Sequence, residues 1–168
     1  MPSLNRRAFL ATLGASTVGN FAGCSTIGPD DPPAGSLQFI NQDSLPHAIQ
    51  LAVTDVGSEL NNETGTVAGD VPVPAPQRNL TATEQLSSEE STTYTDVFTE
   101  PVWYAVECTV DGQQTTQEEF QTEAMFHPAP PGREYVNYLQ AVLRDSGQIE
   151  LAVVTTDNSG RYTPDISN

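Results

Sequence analysis

The sequence predicts an all-β protein, built as a single antiparallel β-sandwich of about seven to eight short strands. Three observations support this fold class. From residue 37 onward, apolar residues recur at every second position, which is the period of a half-buried strand. Residues that favour turns, mainly Gly, Pro, Asp and Asn, separate these alternating runs. Outside the N-terminal segment, no run has the apolar spacing of an amphipathic helix.

The first strands are predicted at 37–41 and 47–54, with a turn between them. The stretch 55–76 is predicted to be a long connection, because its VPVPAP run cannot form a central strand. Weaker strand candidates follow at 80–86 and 92–97. We expect the first two strands to form a core-facing pair that the turn closes.

The clearest strand is predicted at 102–110, where apolar residues keep one parity throughout. Asp111-Gly112 follows and predicts a tight hairpin turn. The remaining strands are predicted at 117–126, 135–144 and 148–156. Short strands separated by turns in this way are typical of an immunoglobulin-like sandwich.

The chain is strongly acidic and contains no lysine. Its 22 Asp and Glu residues outnumber six basic residues, all of them arginine, and the formal net charge is −16. All of the acids follow Cys24, but only four of the arginines do. Because phosphate binding requires Lys or Arg to displace counterions, this composition excludes nucleic acid as a partner.

An acidic, lysine-free composition resembles that of extremely halophilic archaeal proteins. The resemblance implies adaptation to molar salt, where the screening length falls to about 3 Å and self-repulsion is weakened. The alternatives are a merely acidic domain and a disordered acidic chain. Disorder is disfavoured because 37% of the residues are apolar and they alternate regularly.

Residues 1–23 are predicted to be an export signal. Arg6 and Arg7 precede a mildly apolar stretch that is shorter than the roughly 20 residues a membrane-spanning helix needs. The arginine pair resembles a twin-arginine signal, which implies export of a folded chain. Phe21-Ala22-Gly23-Cys24 resembles a lipobox, which implies that Cys24 carries a lipid on its sulfur. The alternative is an ordinary export signal with a chance cysteine.

The lipobox resemblance implies an exported protein anchored to the outer face of the cell membrane. Residues 24–35 are rich in Pro, Gly and Asp and are predicted to be a flexible tether. The β-sandwich is expected to span 36–157, with a C-terminal tail at 158–168. Asn62 and Asn79 each begin an Asn-x-Thr triplet, which permits N-glycosylation of an exported chain or arises by chance in a Thr-rich sequence.

Several further motifs carry a second resemblance. They are Phe-x-Asn-x-x-x-x-Pro-His-x-Ile-x-Leu, Glu90-Ser-x-x-Tyr94, Asp96-Val-Phe98, Tyr104-x-Val106 and Asp111-Gly112. Their order resembles small exported haloarchaeal domains with immunoglobulin-like or cupredoxin-like sandwiches, over roughly residues 37–112. The resemblance implies a fold and a location, and many such domains have no assigned activity.

The most specific chemical hypothesis is a blue-copper site, because the sequence contains the residue types that bind such a copper ion. They are His47, Cys108, Met125 and His127. In cupredoxins, however, the Cys, the second His and the Met follow one another closely in that order. Here no His lies near Cys108, and Met125 precedes His127. Strand parity places Met125 and His127 on a polar, water-facing side and Cys108 among core residues. We therefore expect no cofactor and no metal, with His47 as the weaker remaining candidate.

His47 is instead predicted to have a structural role. A hydrogen bond between Asn41 and His47, or from either to the turn backbone, would close the end of a hairpin and satisfy both polar groups. The alternative is that His47 binds an outside ligand.

Two functions remain open. The first is a non-enzymatic lipoprotein whose sandwich binds an envelope protein or glycan through exposed aromatics such as Trp103, Tyr135 or Tyr138. The second is a carrier of a small ligand or a copper-type metal, using His47 or a cleft at the end of the sandwich. No residues are singled out as catalytic, because no nucleophile, base or phosphate-binding pattern stands out.

Overall fold

A computed structural model describes residues 31–61, 65–113 and 122–163. Within these ranges the regular secondary structure is almost entirely β, as predicted. Its elements are β1 (Leu37–Asn41), β2 (His47–Gly57), β3 (Glu59–Asn61), β4 (Thr66–Ala68), α1 (Ala75–Arg78), β5 (Thr81–Leu86), β6 (Ser91–Tyr94), β7 (Trp103–Val110), β8 (Glu123–Phe126), β9 (Val136–Leu143) and β10 (Ile149–Thr156). None of the described helical residues forms a helix long and apolar enough to cross a membrane.

Two four-stranded sheets pack face to face and confirm the β-sandwich. Their strand orders are β10-β9-β1-β6 and β5-β2-β7-β8, and β3 and β4 form a separate two-stranded sheet. The described pairs are antiparallel except for β1 and β9, which run parallel with Leu37 opposite Leu139. This pair departs from the wholly antiparallel expectation. Because β1 and β9 are far apart in sequence, no tight turn forces opposite directions on them.

The core lies between the sheets and is built from the residues that alternate inward. Phe98, Tyr104 and Phe126 form its aromatic centre, with ring centroids 5.0 Å apart for Phe98–Tyr104 and 4.7 Å for Phe98–Phe126. In β7, Tyr104, Val106, Cys108 and Val110 are all buried, which confirms the parity predicted for this strand.

The turn at Asp111-Gly112 is confirmed. Both residues have positive φ angles, 52° and 75°, as a two-residue hairpin turn requires. Val110 and Gln113 exchange backbone hydrogen bonds of 3.1 and 2.9 Å across it.

The prediction that Asn41 and His47 close a hairpin is wrong. The strand β1 belongs to one large sheet and β2 to the other, so the segment between them crosses from sheet to sheet. The predicted bond from Asn41 to the turn backbone is present, because its Nδ2 donates to the Leu45 carbonyl at 2.8 Å. A second bond from Nδ2, to the Ser87 carbonyl at 2.9 Å, ties the crossover to the chain before β6.

The predicted connection 55–76 contains more structure than expected. β2 continues to Gly57, and the β3–β4 hairpin and the start of α1 follow. The VPVPAP run forms no strand, as predicted, and Pro74 occupies the N-cap position of α1. In α1, the buried Gln77 donates to the Val97 carbonyl at 3.0 Å and accepts from Thr99 N at 3.0 Å.

The two ends of the described chain lie together at one end of the sandwich. Ala34 N donates to the Asn158 carbonyl at 2.8 Å, and the buried Tyr162 donates its hydroxyl to the Phe98 carbonyl. Gly35 has a φ of 77°, and a Cβ at this position would lie 2.6 Å from the Phe98 carbonyl oxygen. This close approach therefore requires glycine.

Candidate binding groove

Most of the residues predicted to act in export, lipidation or glycosylation fall outside the described part of the chain. Arg6, Arg7 and Cys24 precede it, and Asn62 lies in the gap between 61 and 65. Asn79 is described and exposed at the end of α1, where its Nδ2 donates to the Ala75 carbonyl at 3.2 Å. Glycosylation at either asparagine stays a prediction.

His47 lies at the start of β2 between two carboxylates. Its Nδ1 is 2.8 Å from Asp111 Oδ2, and its Nε2 is 3.5 Å from Asp43 Oδ2. Asp111 also accepts from Ala48 N at 2.9 Å, and this bond, followed by that to His47, lowers the pKa of the Asp111 carboxyl. The bond from Leu45 N lowers the pKa of Asp43. This cluster joins the β1–β2 crossover to the β7 hairpin turn, which is a structural use of the histidine.

The prediction that His127 faces water is wrong, because only 4% of its surface is exposed. It projects from the outer side of its sheet, as parity predicts, but Trp103 covers it edge-on at a centroid distance of 5.1 Å. Its Nδ1 accepts from Ala129 N at 3.1 Å. Burial lowers the pKa of His127 to about 4, opposed by a hydrogen bond with the Pro101 carbonyl. The ring is therefore neutral at neutral pH.

The structure does not bring the copper-type residues together. Cys108 is fully buried on the core side of β7, whereas His127 packs against Trp103 on the outer side. Burial raises the pKa of the Cys108 thiol to about 12, which disfavours the thiolate that copper requires. In the described ranges, no group of three or more His, Cys, Asp or Glu side chains has the geometry to hold a metal ion.

An open groove lies at one end of the sandwich, where β7, β8, β9 and β10 meet the start of β3. We call it the aromatic groove, and its volume is about 800 Å³. Residues that line it include Ser58, Trp103, His127, Arg133, Tyr135 and Val153. A smaller cleft of about 540 Å³ shares Ser58, His127 and Pro131 with the groove and is also lined by Arg161 and Tyr162.

The groove exposes apolar and aromatic surface. Tyr135 is 42% exposed and Val153 44%, and both are among the large apolar residues that the described chain leaves accessible. Trp103 is half-buried and packs against His127 with the two rings nearly perpendicular. Tyr138, which was expected to be exposed, is only 5% exposed, and its hydroxyl accepts from Gln140 Nε2 at 3.2 Å. Two of the three predicted aromatics therefore line the groove.

Two arginines of this acidic chain line the groove or the smaller cleft beside it. Of the four arginines that follow Cys24 in the sequence, Arg78 and Arg144 each pair with a carboxylate. Arg133 lines the aromatic groove and Arg161 the smaller cleft. Neither forms an ion pair with any residue that the structure describes.

Sequence reasoning identified Trp103 and Tyr135 but missed Arg133, Val153 and Ser58. These residues come from distant segments, and pairing between strands that are remote in sequence brings them together. The signal that was available is the run HPAPPGREY, in which a proline-rich loop is followed at once by an arginine and a tyrosine.

Comparisons with protein-family models, with curated proteins and with solved structures gave no match to this chain.

Proposed function

We propose that this chain is an exported, lipid-anchored cell-surface protein, adapted to high salt, whose β-sandwich binds an envelope component without catalysis. The observation that carries the proposal is the aromatic groove. It combines accessible aromatic surface at Tyr135 with an arginine, and aromatic and arginine side chains are enriched at binding surfaces.

The hydrogen bonds made by the imidazole of His127, which lines the groove, favour a binding role over a catalytic one. A general base needs a free ring nitrogen within reach of the proton it removes. His127 has its Nδ1 occupied by Ala129 N and its ring hydrogen-bonded to the Pro101 carbonyl. The buried Cys108 is likewise a poor nucleophile, because its raised pKa keeps it protonated.

The position of the groove fits a lipid anchor at Cys24. Gly35 N donates to the carbonyl of Asn137 at 2.9 Å, and Asn137 lines the groove, so the predicted tether reaches the sandwich at this end. Residues 24–33 can extend over at most about 35 Å. An anchor at Cys24 would therefore hold this end of the sandwich near the membrane, where envelope components are concentrated.

Binding of the full-length protein to isolated native envelopes tests the groove. Tyr135→Ala removes exposed aromatic surface from the groove and is expected to weaken envelope binding by about tenfold. Tyr94→Ala is the matched control, because Tyr94 is also 42% exposed but lies on β6, outside the groove. Equal binding by wild type and Tyr135→Ala would overturn the proposal.

Membrane fractionation tests the anchor. Cys24→Ser removes the atom that would carry the lipid, so we expect this variant to be released from membranes into the soluble fraction. Unchanged membrane association would refute lipidation at Cys24.

A second candidate function, a small-ligand carrier, is supported by the size of the groove. Its volume of about 800 Å³ lies within the roughly 300–1,000 Å³ usual for small-molecule sites. A carrier should co-purify with its ligand, which mass spectrometry of the unfolded protein would detect and which Tyr135→Ala should reduce. A metal carrier based on His47 should instead show bound metal in elemental analysis, lost in His47→Ala.

A further inference from the structure

The unpaired arginine of the aromatic groove indicates the charge of its ligand. A chain with a net charge of −16 and six arginines has few cations to leave unpaired. Arg133 nevertheless lies at the groove, exposed and without an acidic partner among the described residues. A guanidinium in this state offers a planar pair of donors that fits a carboxylate or sulfate.

We propose that the aromatic groove binds an acidic saccharide, with a sugar ring packed on Tyr135 and Trp103 and its carboxylate bound by Arg133. This inference rests on the proposed function, because it assumes that the groove is the binding surface. A pyranose ring presents C–H groups on its faces, which pack on aromatic rings, and hydroxyls around its rim. Ser58 and Thr155 lie on the same groove and supply hydroxyl partners for that rim.

One further lining residue restricts the number of anionic groups on the ligand. Glu59 on β3 also lines the groove, so a ligand with closely spaced anions would meet a like charge. A sugar with one carboxylate on each ring can place that group near Arg133 and neutral hydroxyls near Glu59. The Glu59 carboxylate also disfavours polyphosphates and nucleic acid as ligands of the groove.

High salt favours this kind of recognition. In about 1 M salt the screening length is about 3 Å, so the long-range repulsion between an acidic protein and an acidic ligand largely disappears. A direct guanidinium–carboxylate contact lies within that length and persists. Stacking on Tyr135 and Trp103 is not weakened by screening, because it depends on apolar contact.

Calorimetry with two matched oligosaccharides tests the inference. The full-length protein in detergent and about 1 M KCl is titrated with a β-1,4-linked glucuronate tetrasaccharide and with cellotetraose, which has the same linkage but no carboxylates. We expect the glucuronate ligand to bind at least about tenfold more tightly, the factor for one charge-assisted hydrogen bond.

Three variants assign the contributions to residues. Arg133→Gln is expected to remove the preference for the glucuronate ligand, and Tyr135→Ala to weaken both ligands. Arg144→Gln is the matched control for charge, because Arg144 pairs with Glu150 away from the groove, and it should keep the preference.

The outcomes separate the ligand class from the proposed function. Equal affinity for the two oligosaccharides, or a preference that survives in Arg133→Gln, would overturn the acidic specificity. If neither oligosaccharide binds nor competes with envelopes, while envelope binding still depends on Tyr135, the saccharide is wrong and the binding groove stands. If envelope binding does not depend on Tyr135, the proposed function itself fails.

Discussion

The two histidines have different roles in this fold, and the residues around each one determine its role. His47 is partly accessible and lies between Asp43 and Asp111, so it joins two loops through charged partners. His127 is buried against Trp103 and bonded to backbone groups, so it stays neutral. The sequence presents both as potential metal ligands, and only their surroundings distinguish the two roles.

The buried state of His127 predicts a pH-dependent stability. Its pKa is lowered to about 4 in the folded protein, whereas an unfolded histidine has a pKa of about 6.5. Between these values the unfolded chain binds a proton that the folded chain does not, so falling pH destabilises the fold. The His127→Gln substitution removes this pH dependence, and it also lowers the unfolding free energy because the packing of the imidazole is lost.

Urea unfolding of both proteins checks this prediction. We expect the difference in unfolding free energy between wild type and His127→Gln to narrow as the pH is lowered from about 7 to about 5. A constant or widening difference would show that His127 is not held neutral.

Thiol titration tests Cys108 and Cys24 together. The chain has two cysteines, and the pKa of Cys108 is raised to about 12 by burial. We expect no reaction with a thiol-specific reagent in the native protein at about pH 8, and one reactive thiol in denaturant. That single thiol should vanish in Cys108→Ser. A second thiol in denatured wild type would show that the sulfur of Cys24 is free.

At the scale of elements, the apolar periodicity of the sequence predicted where most strands lie. It did not predict which strands pair with one another in the sheets. The strands β1, β2, β7 and β10 were recognisable because one side of each faces the core, whereas β9 is buried on both sides. The same pattern does not say which sheet a strand joins, so the β1–β2 crossover resembled a hairpin. The short β3–β4 hairpin has little apolar alternation. The four-residue helix α1, which begins within VPVPAP, is below the length at which helical spacing can be read.

The unforeseen helix α1 holds a buried hydrogen-bonding centre. Gln77 donates to the Val97 carbonyl and accepts from Thr99 N and from the Tyr104 hydroxyl at 2.9 Å. These bonds link the helix to the loop before β7 and to the aromatic core. Replacing Gln77 would leave buried polar groups without partners, which is more costly than losing an exposed hydrogen bond.

We therefore expect Gln77→Ala to lower the unfolding free energy by about 2–3 kcal/mol. Gln85→Ala is the matched control, because Gln85 is exposed on β5, and its effect should stay within about 0.5 kcal/mol. Denaturant unfolding in high salt measures both. A similar small effect of the two substitutions would contradict the role assigned to Gln77.

At the scale of the whole molecule, the sequence predicted the architecture but not the groove. A β-sandwich follows from alternation, which each strand carries by itself. The groove needs Trp103 from β7, Tyr135 from the loop before β9 and Val153 from β10 to meet at one end. That meeting depends on sheet order and on the parallel β1–β9 pair, neither of which periodicity reveals.

Net charge is also a property of the whole molecule, and it predicts stabilisation by salt. None of the described Asp and Glu residues is buried, and few of them form ion pairs. Cross-strand register even places two acids opposite one another, Glu107 on β7 and Glu123 on β8. Raising KCl from about 0.1 to about 1 M shortens the screening length from about 10 to about 3 Å. We expect the thermal midpoint to rise accordingly.

One pair of substitutions separates charge repulsion from general salt effects. Glu123→Gln removes one of two facing acids, so we expect it to stabilise the protein in low salt by roughly 0.2–1 kcal/mol and to weaken the response to KCl. Glu150→Gln makes the same chemical change in an acid that pairs with Arg144 at 2.6 Å, so it should not stabilise. If both variants respond alike, the salt acts through hydration and apolar burial. If the midpoint does not rise with salt, the proposed adaptation to high salt is wrong.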